Sequence, residues 1–303
     1  MSYAPILLFV YNRLEHTRRC VASLRQNSLA AESDLFVYSD GAKDPNGWKK
    51  VEEVRKFVHS IEGFKSVTAI ENESNRGLAE SIIRGVTEKV TIHGKVIVVE
   101  DDLILAPYFL SFMNDALEIY KDEPKVGHVQ ACDYVRNDKL PDTFLIKWTG
   151  SWGWATWKRA WKYFNPDGKA LLRELRQRKL THAFDFDGKY GYTRMLRRQT
   201  EGKNDSWAIR WNASLFLRDI LSLNVGKSLV RNAGFDGTGT NAGGGGLYSS
   251  ELYMHRLTVD RIVPVEENEQ ARNAYSDYYA RTNSFRAKAI RRIKRMLRGD
   301  FGA

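Results

Sequence analysis

The sequence predicts an α/β fold: a doubly wound, mostly parallel sheet followed by a helical, aromatic-rich half. Three observations carry the prediction. Short β-branched apolar runs alternate with helix-periodic segments through the first 130 residues, a polar cluster follows each of the first four runs, and the alternation then gives way to helical spacing and five of the eight tryptophans. Alternation of this kind builds right-handed βαβ units whose ligands sit beyond the carboxyl ends of the strands.

Taken in order, the apolar runs at 6–10, 35–39, 67–70, 96–99 and 126–130 are expected strands, and 14–26, 48–61, 78–90 and 108–120 are expected helices. "VYNR" places Asn12 and Arg13 after the first strand, and "YSDGAKD" places Asp40 and Gly41 after the second. "ENESNRGLAES" places Asn75, Arg76 and Gly77 after the third. "VIVVEDDLILAP" then puts Glu100, Asp101 and Asp102 at the tip of the fourth. Each cluster alone is a turn signal, since Asn, Asp, Ser and Gly punctuate loops anyway. Four of them on successive strands converge on one edge. The organisation expected is an α/β half over 1–131, a second half of the same domain over 132–250, and an extension over 251–303.

Composition sets the class. With 303 residues, 43% of them hydrophobic, the chain can bury a large core. It has no stretch apolar enough to span a bilayer and no leader pattern at "MSYAPILLFVYNR", so a cytoplasmic protein is expected. Two cysteines, Cys20 and Cys132, build neither a disulfide framework nor a multi-cysteine metal site and read as small core residues. The net charge of +10 is unevenly spread, and a large share sits in the tail, where "SFRAKAIRRIKRMLRG" reads as a basic amphipathic helix over 284–298. Such a helix suits the anionic inner face of the cell membrane, or else packs on the body as a solvated helix.

Three adjacent acids repel one another, so at least one must be protonated, solvated or bound to a cation. Mg²⁺ or Mn²⁺ takes carboxylate oxygens and leaves its other positions to water or substrate phosphates, so a metal-bridged diphosphate is the economical reading. The bland reading is an acidic turn capping the helix that begins near Pro107.

These residues carry a resemblance. The sequence resembles a GT-A (Rossmann-like) glycosyltransferase of the family-two-like kind, over roughly residues 3 to 245, and "VVEDDLILAPYFLSFMNDAL" resembles the acidic motif and following helix of the N-acetylglucosaminyltransferase I type and its bacterial relatives. The resemblance implies that Asp102 ligates the metal and that Glu100 and Asp101 contact sugar and ribose. It further implies that Asn12, Arg13 and Asp40 lie by the nucleotide base and Arg76, with Asn75, by the phosphates or donor sugar.

In the second half, "WTGSWGWATWKRAW" places Trp154, Trp157 and Trp161 at the spacing of one helix face, which reads as core. Trp152, with Gly153 beside it, falls in an irregular segment suited to an aromatic platform for a sugar. "EGKNDSWAIRW" offers Asp205 and Trp207. Asp205 either caps the helix that follows or, as the resemblance implies, takes the proton of the acceptor hydroxyl, with Trp207 in the sugar or acceptor pocket; Asp185 and Asp187 of "FDFDG" are the fallback bases. The four glycines at 243–246 read as a loop closing over the substrates, and Asn241 stands where relatives often carry a His.

The function expected is an inverting, metal-dependent glycosyltransferase moving a hexose or N-acetylhexosamine from a nucleotide sugar, most simply a UDP-sugar, to a hydroxyl of a glycan or lipid-linked glycan in cell-surface polysaccharide synthesis. A sugar-phosphate nucleotidyltransferase shares the sheet and the metal need, but it should carry a glycine-rich basic loop where this chain has "FVYNRLEH". A non-enzymatic membrane- or RNA-binding protein is the other alternative. Against nucleic acid, the tryptophans are not interleaved with the basic tail and the strongest motif is acidic.

Overall fold

The computed structural model describes residues 2–235, 248 and 250–284. The first half runs β1 (Ile6–Val10), α1 (Leu14–Arg25), β2 (Asp34–Ser39), α2 (Trp48–Val58), β3 (Ser66–Glu71), α3 (Leu78–His93), β4 (Lys95–Glu100), β5 (Leu103–Leu105), α4 (Phe109–Ile119) and β6 (Val126–Gln130). The second half adds β7 (Thr143–Ile146), β8 (Trp154–Trp157), α5 (Lys158–Trp161), α6 (Gly168–Gln177), α7 (Thr181–Phe184), α8 (Tyr192–Thr200), α9 (Trp207–Phe216), β9 (Leu221–Val225), β10 (Val230–Asn232) and α10 (Glu269–Asn283). The glycine-rich segment 243–246, Asn241 and the basic tail beyond Ser284 lie outside the described residues.

Eight strands form one sheet in the order β3-β2-β1-β4-β8-β6-β9-β7, and β10 pairs with β5 in a separate ribbon. Strands β1 to β4 are mutually parallel, with the central β1 and β4 buried on both faces and β3 a half-exposed edge. Strand β8 enters antiparallel between β4 and β6, so β6 again runs parallel to β4, and β9 runs parallel to β6. The carboxyl ends of β1, β2, β3, β4 and β6 therefore open on one edge.

The β8 strand corrects the sequence reading of the tryptophans. Trp154 and Trp157 belong to a strand and only Trp161 to a helix. Three residues apart on a strand, the two indoles leave opposite faces. Trp154 stacks on Trp207 at 5.0 Å between centroids, in the layer with α3 and α9. On the other face, Trp157 donates its Nε1–H to the Leu117 carbonyl at 2.9 Å. "WATW" has only Thr156 as a polar residue, so helix and strand periodicities both fit it, and the segment pairs between β4 and β6.

Cys20 and Cys132 are buried and unpaired, as read from the sequence. His128, on β6, is buried against Trp154 and accepts from Trp211 Nε1 at 3.1 Å; burial pushes its imidazole down to about 3, keeping it neutral. A separate core gathers tyrosines beneath α6, α8 and α10. Trp148 Nε1 donates to the Tyr192 hydroxyl (2.7 Å), which bonds Tyr279 (2.9 Å), which in turn bonds Tyr134 (2.6 Å). This chain satisfies hydroxyls that burial would otherwise leave unpaired and ties α10 to the second half.

Candidate active site at the carboxyl edge of the sheet

The acidic block follows β4 directly, and the Asp101 amide donates to Phe9 at the end of β1 (3.1 Å). Arg13, just past β1, reaches across. Its Nη2 donates to Asp101 Oδ1 and, at 3.1 Å, to Asp102 Oδ2. The three side chains are 20%, 6% and 16% exposed, so this is a largely desolvated cluster. Burial works against the Arg13 charge, but the two carboxylates prevail and hold its pKa above the ordinary value. Burial pushes Asp101 up to about 6, with Arg13 opposing. Glu100 is raised well above the usual range by burial first and then by the charges of Asp102 and Asp101.

The acids do not cap the helix that follows, which corrects the bland reading. Strand β5 intervenes, and α4 begins after Tyr108 with no side-chain cap. What the cluster leaves open is two carboxylate oxygens, Asp101 Oδ2 and Asp102 Oδ1, both buried and without a hydrogen-bond partner. Among the described residues no three His, Cys, Asp or Glu side chains converge as an ion cage. One or two carboxylate oxygens fit the use of Mg²⁺ or Mn²⁺ with substrate phosphates, where the protein supplies few ligands.

The pairing with Arg13 has a measurable consequence. Arg13→Met should lower stability at pH 7 in metal-free buffer by about 3 kcal/mol, because it strands two buried carboxylates. Asp101 binds its proton more tightly in the folded state than in the unfolded one, so its ionisation costs stability above pH 6, and that cost is relieved as pH falls through 6. The deficit should therefore shrink by pH 5 in urea unfolding. An equal deficit at both pH values would show that the carboxylates are not what Arg13 stabilises.

At the neighbouring strands, Asp40 works as a clamp. Its Oδ1 accepts from the amides of Gly41 (3.0 Å) and Arg76 (2.9 Å) and from Asn72 Nδ2 (3.2 Å), while Oδ2 accepts from the Gly77 amide at 2.8 Å. Asn75 Nδ2 donates to the Gly41 carbonyl at 2.7 Å. A Cβ at Gly41 would stand 2.5 Å from the Ser74 carbonyl carbon, so glycine lets the two loops meet. The clamp leaves Arg76 exposed, with no ion pair among the described residues. Asn12 lies half-buried beside Arg13.

The sequence reading missed a wall of this site. Strand β10 pairs with β5, setting Asn232 opposite Leu103, and the Ala233 amide donates to the Asp102 carbonyl at 2.7 Å. Gly234 then passes so close that a Cβ there would collide with the Asp102 carboxylate. Phe235 follows, 5.5 Å from the half-exposed Trp152, with Tyr248 6.0 Å from the same indole. Beside Trp152, Gly153 has φ +65° and would place a Cβ 2.7 Å from Val230, so it lets β10 approach the acidic block. The only local signal for this wall is the turn-forming "NAG" shortly after the apolar pair Leu229 and Val230.

Trp207 packs in the core with α3 and β8. It is buried at the start of α9, stacked on Trp154, which corrects its expected place in the sugar or acceptor site. Ser206 caps α9, accepting from the Ile209 amide at 3.2 Å, so capping is not the work of Asp205. Asp205 is exposed and pairs with Arg210 at 3.1 Å. Helix α9 packs on α3, whose first turn carries Glu80. Asp185 accepts from the Thr193 amide (2.6 Å) and Asp187 from Arg272 (3.2 Å), both inside the second half. Asp133, three residues past β6, was also missed. It is buried, bonded to the Val135 and Arg136 amides, and pushed up to about 6 by burial.

No protein-family model matches the sequence, and no curated protein matches it. Among solved structures the chain is similar to TarS of S. aureus, at 16% identity over 46% of this chain and 23% of that one, with a TM-score of 0.32. It therefore spans less than a quarter of that protein. It is also similar to the mannosyltransferase PcManGT from Pyrobaculum calidifontis, solved with GDP-Man and Mn²⁺, at 12% identity over 72% and 70% of the two chains and a TM-score of 0.42. A third likeness is to glucosyl-3-phosphoglycerate synthase from Mycobacterium tuberculosis, solved with Mn²⁺, UDP and glucosyl-3-phosphoglycerate, at 13% identity over 59% and 67% and a TM-score of 0.33. At these scores the likenesses carry no argument about function, which rests instead on this chain's own side chains.

Proposed function

We propose that this protein is a nucleotide-sugar-dependent glycosyltransferase. More particularly, we infer an inverting, divalent-metal-dependent enzyme that moves a hexose or N-acetylhexosamine from a UDP-sugar to a glycan or lipid-linked hydroxyl. The observation that carries the reading is the desolvated Asp101–Asp102–Arg13 cluster at the tip of β4, with a buried, unpartnered oxygen on each carboxylate. Asp102 would hold Mn²⁺ or Mg²⁺, which when bound supplies Lewis-acid stabilisation of a diphosphate leaving group. Arg76, whose backbone the Asp40 clamp holds, would meet the growing phosphate charge. Asp101 and Glu100 line the same edge as donor contacts, with Asn12, Arg13 and Asn75 shaping the nucleotide side. Trp152, backed by Phe235 and Tyr248, offers a ring face to a pyranose. Asp205 takes the acceptor proton.

The test is a screen of nucleotide sugars for hydrolysis and transfer with Mn²⁺, repeated with EDTA and with a sugar 1-phosphate plus nucleoside triphosphate. Metal-dependent release of nucleoside diphosphate from one donor class is expected. Turnover of the sugar 1-phosphate alone would replace this reading with a nucleotidyltransferase.

A further inference from the structure

The positive charge of this chain is confined to two stretches. Positions 169–203 hold ten Lys and Arg against four Asp and Glu, and positions 284–303 hold seven against one, so the remaining residues together are slightly acidic. The first stretch belongs to the packed helices α6 and α8. Leu171, Leu172, Leu175 and Leu196 are buried beneath them, while Lys169, Arg173, Arg176, Arg194 and Arg198 are exposed. The acids of these helices are already taken: Glu174 pairs with Arg178 at 3.1 Å, and Glu201 pairs with Lys203 at 2.8 Å. Those five exposed cations form no ion pair among the described residues. Between the helices runs a groove of about 360 Å³ lined by Lys169, Leu172, Arg173, Arg176, Gln177 and Thr200, with no carboxylate in its walls.

We propose that the α6–α8 face docks on a bilayer bearing anionic phospholipids, with a headgroup phosphate seated among Lys169, Arg173 and Arg176. A groove with three cations, two further side-chain hydrogen-bonding groups and no acid is suited to a phosphate. Cations continue beyond it along α8, at Arg194 and Arg198, which matches the repeating charge of a surface rather than one small ligand. No aromatic ring lines the groove, so it lacks the stacking platform that single-stranded nucleic acid uses. None of the groove's lining residues belongs to the acidic cluster, so docking does not depend on the proposed metal chemistry. It also bears on reach: Asn204 Nδ2 donates to the Met195 carbonyl at 3.2 Å, so the turn carrying Asp205 is tied to α8.

The full-length chain should co-sediment with phosphatidylcholine vesicles in which a third of the lipid is phosphatidylglycerol, and far less with phosphatidylcholine alone. Combined Lys169→Gln, Arg173→Gln and Arg176→Gln should lower that partition at least tenfold at about 0.1 M salt. Removing the same charge from exposed positions of α2, with Lys49→Gln, Lys50→Gln and Lys56→Gln, should leave partition within about twofold. All six positions are exposed, and an unchanged melting temperature verifies folding in each variant. Three results each overturn the proposal: wild-type partition in the α6 variant, an equal loss in the α2 variant, or α6-dependent binding to an RNA oligonucleotide with none to vesicles.

Discussion

Asp102→Asn is expected to lower Mn²⁺-dependent turnover of a nucleotide sugar by about a thousandfold while leaving the fold intact. The substitution keeps the planar side chain that fits between Gly234 and Arg13, so the close approach of the 233–235 segment survives. It removes the anionic charge that a divalent ion requires of a site with so few protein ligands. Metal stabilisation of a departing diphosphate contributes several kcal/mol, and about 4 kcal/mol corresponds to three powers of ten in rate. Nucleoside diphosphate release at saturating Mn²⁺ reads the effect, and turnover within a few-fold of wild type would remove Asp102 as the ligand. Arg13 offers the contrast. It touches the same carboxylates but is no metal ligand, so its replacement should register in stability and in donor KM rather than in Mn²⁺-dependent kcat, and comparing the two variants separates holding the acids together from using them.

Much of this edge was legible because its determinants are local. β1 and β6 fall on the residues their apolar runs mark, and the acidic block sits at a strand tip as read. The clusters after β1 to β4 also meet as expected, through Arg13 on Asp101 and Asp40 on the Arg76 and Gly77 amides. What failed to show was set by partners distant in sequence. β5 and β10 are three residues each and pair across more than a hundred positions, so neither has a periodicity to read. The tryptophans of β8 are apolar on both faces, and Trp207 follows an irregular polar turn that resembles a pocket rim; each was placed by burial against the other. Whether Asp205 or Ser206 caps α9 is a one-residue question that composition leaves open, since both residue types cap well.

That one-residue answer sharpens the second large effect. With Ser206 bonded to the Ile209 amide, Asp205 has no helix to cap, and its remaining partner is Arg210. The Asp205 side chain is 69% exposed, and an exposed ion pair contributes only about 0–1 kcal/mol. Asp205→Asn should therefore scarcely move the melting temperature. Arg210 is itself nearly buried and anchored by the Ser206 carbonyl at 3.2 Å, so it can orient a carboxylate at the start of α9. Loss of a positioned general base costs roughly a hundredfold or more in rate. The expected result is a drop of about that size in kcat for transfer, with the donor KM within about twofold, since the proposed donor contacts are on the β1 to β4 loops. Normal kcat would reduce Asp205 to a surface partner of Arg210 and leave the acceptor proton to another group on this edge. A parallel fall in kcat and rise in donor KM would instead assign Asp205 to donor binding.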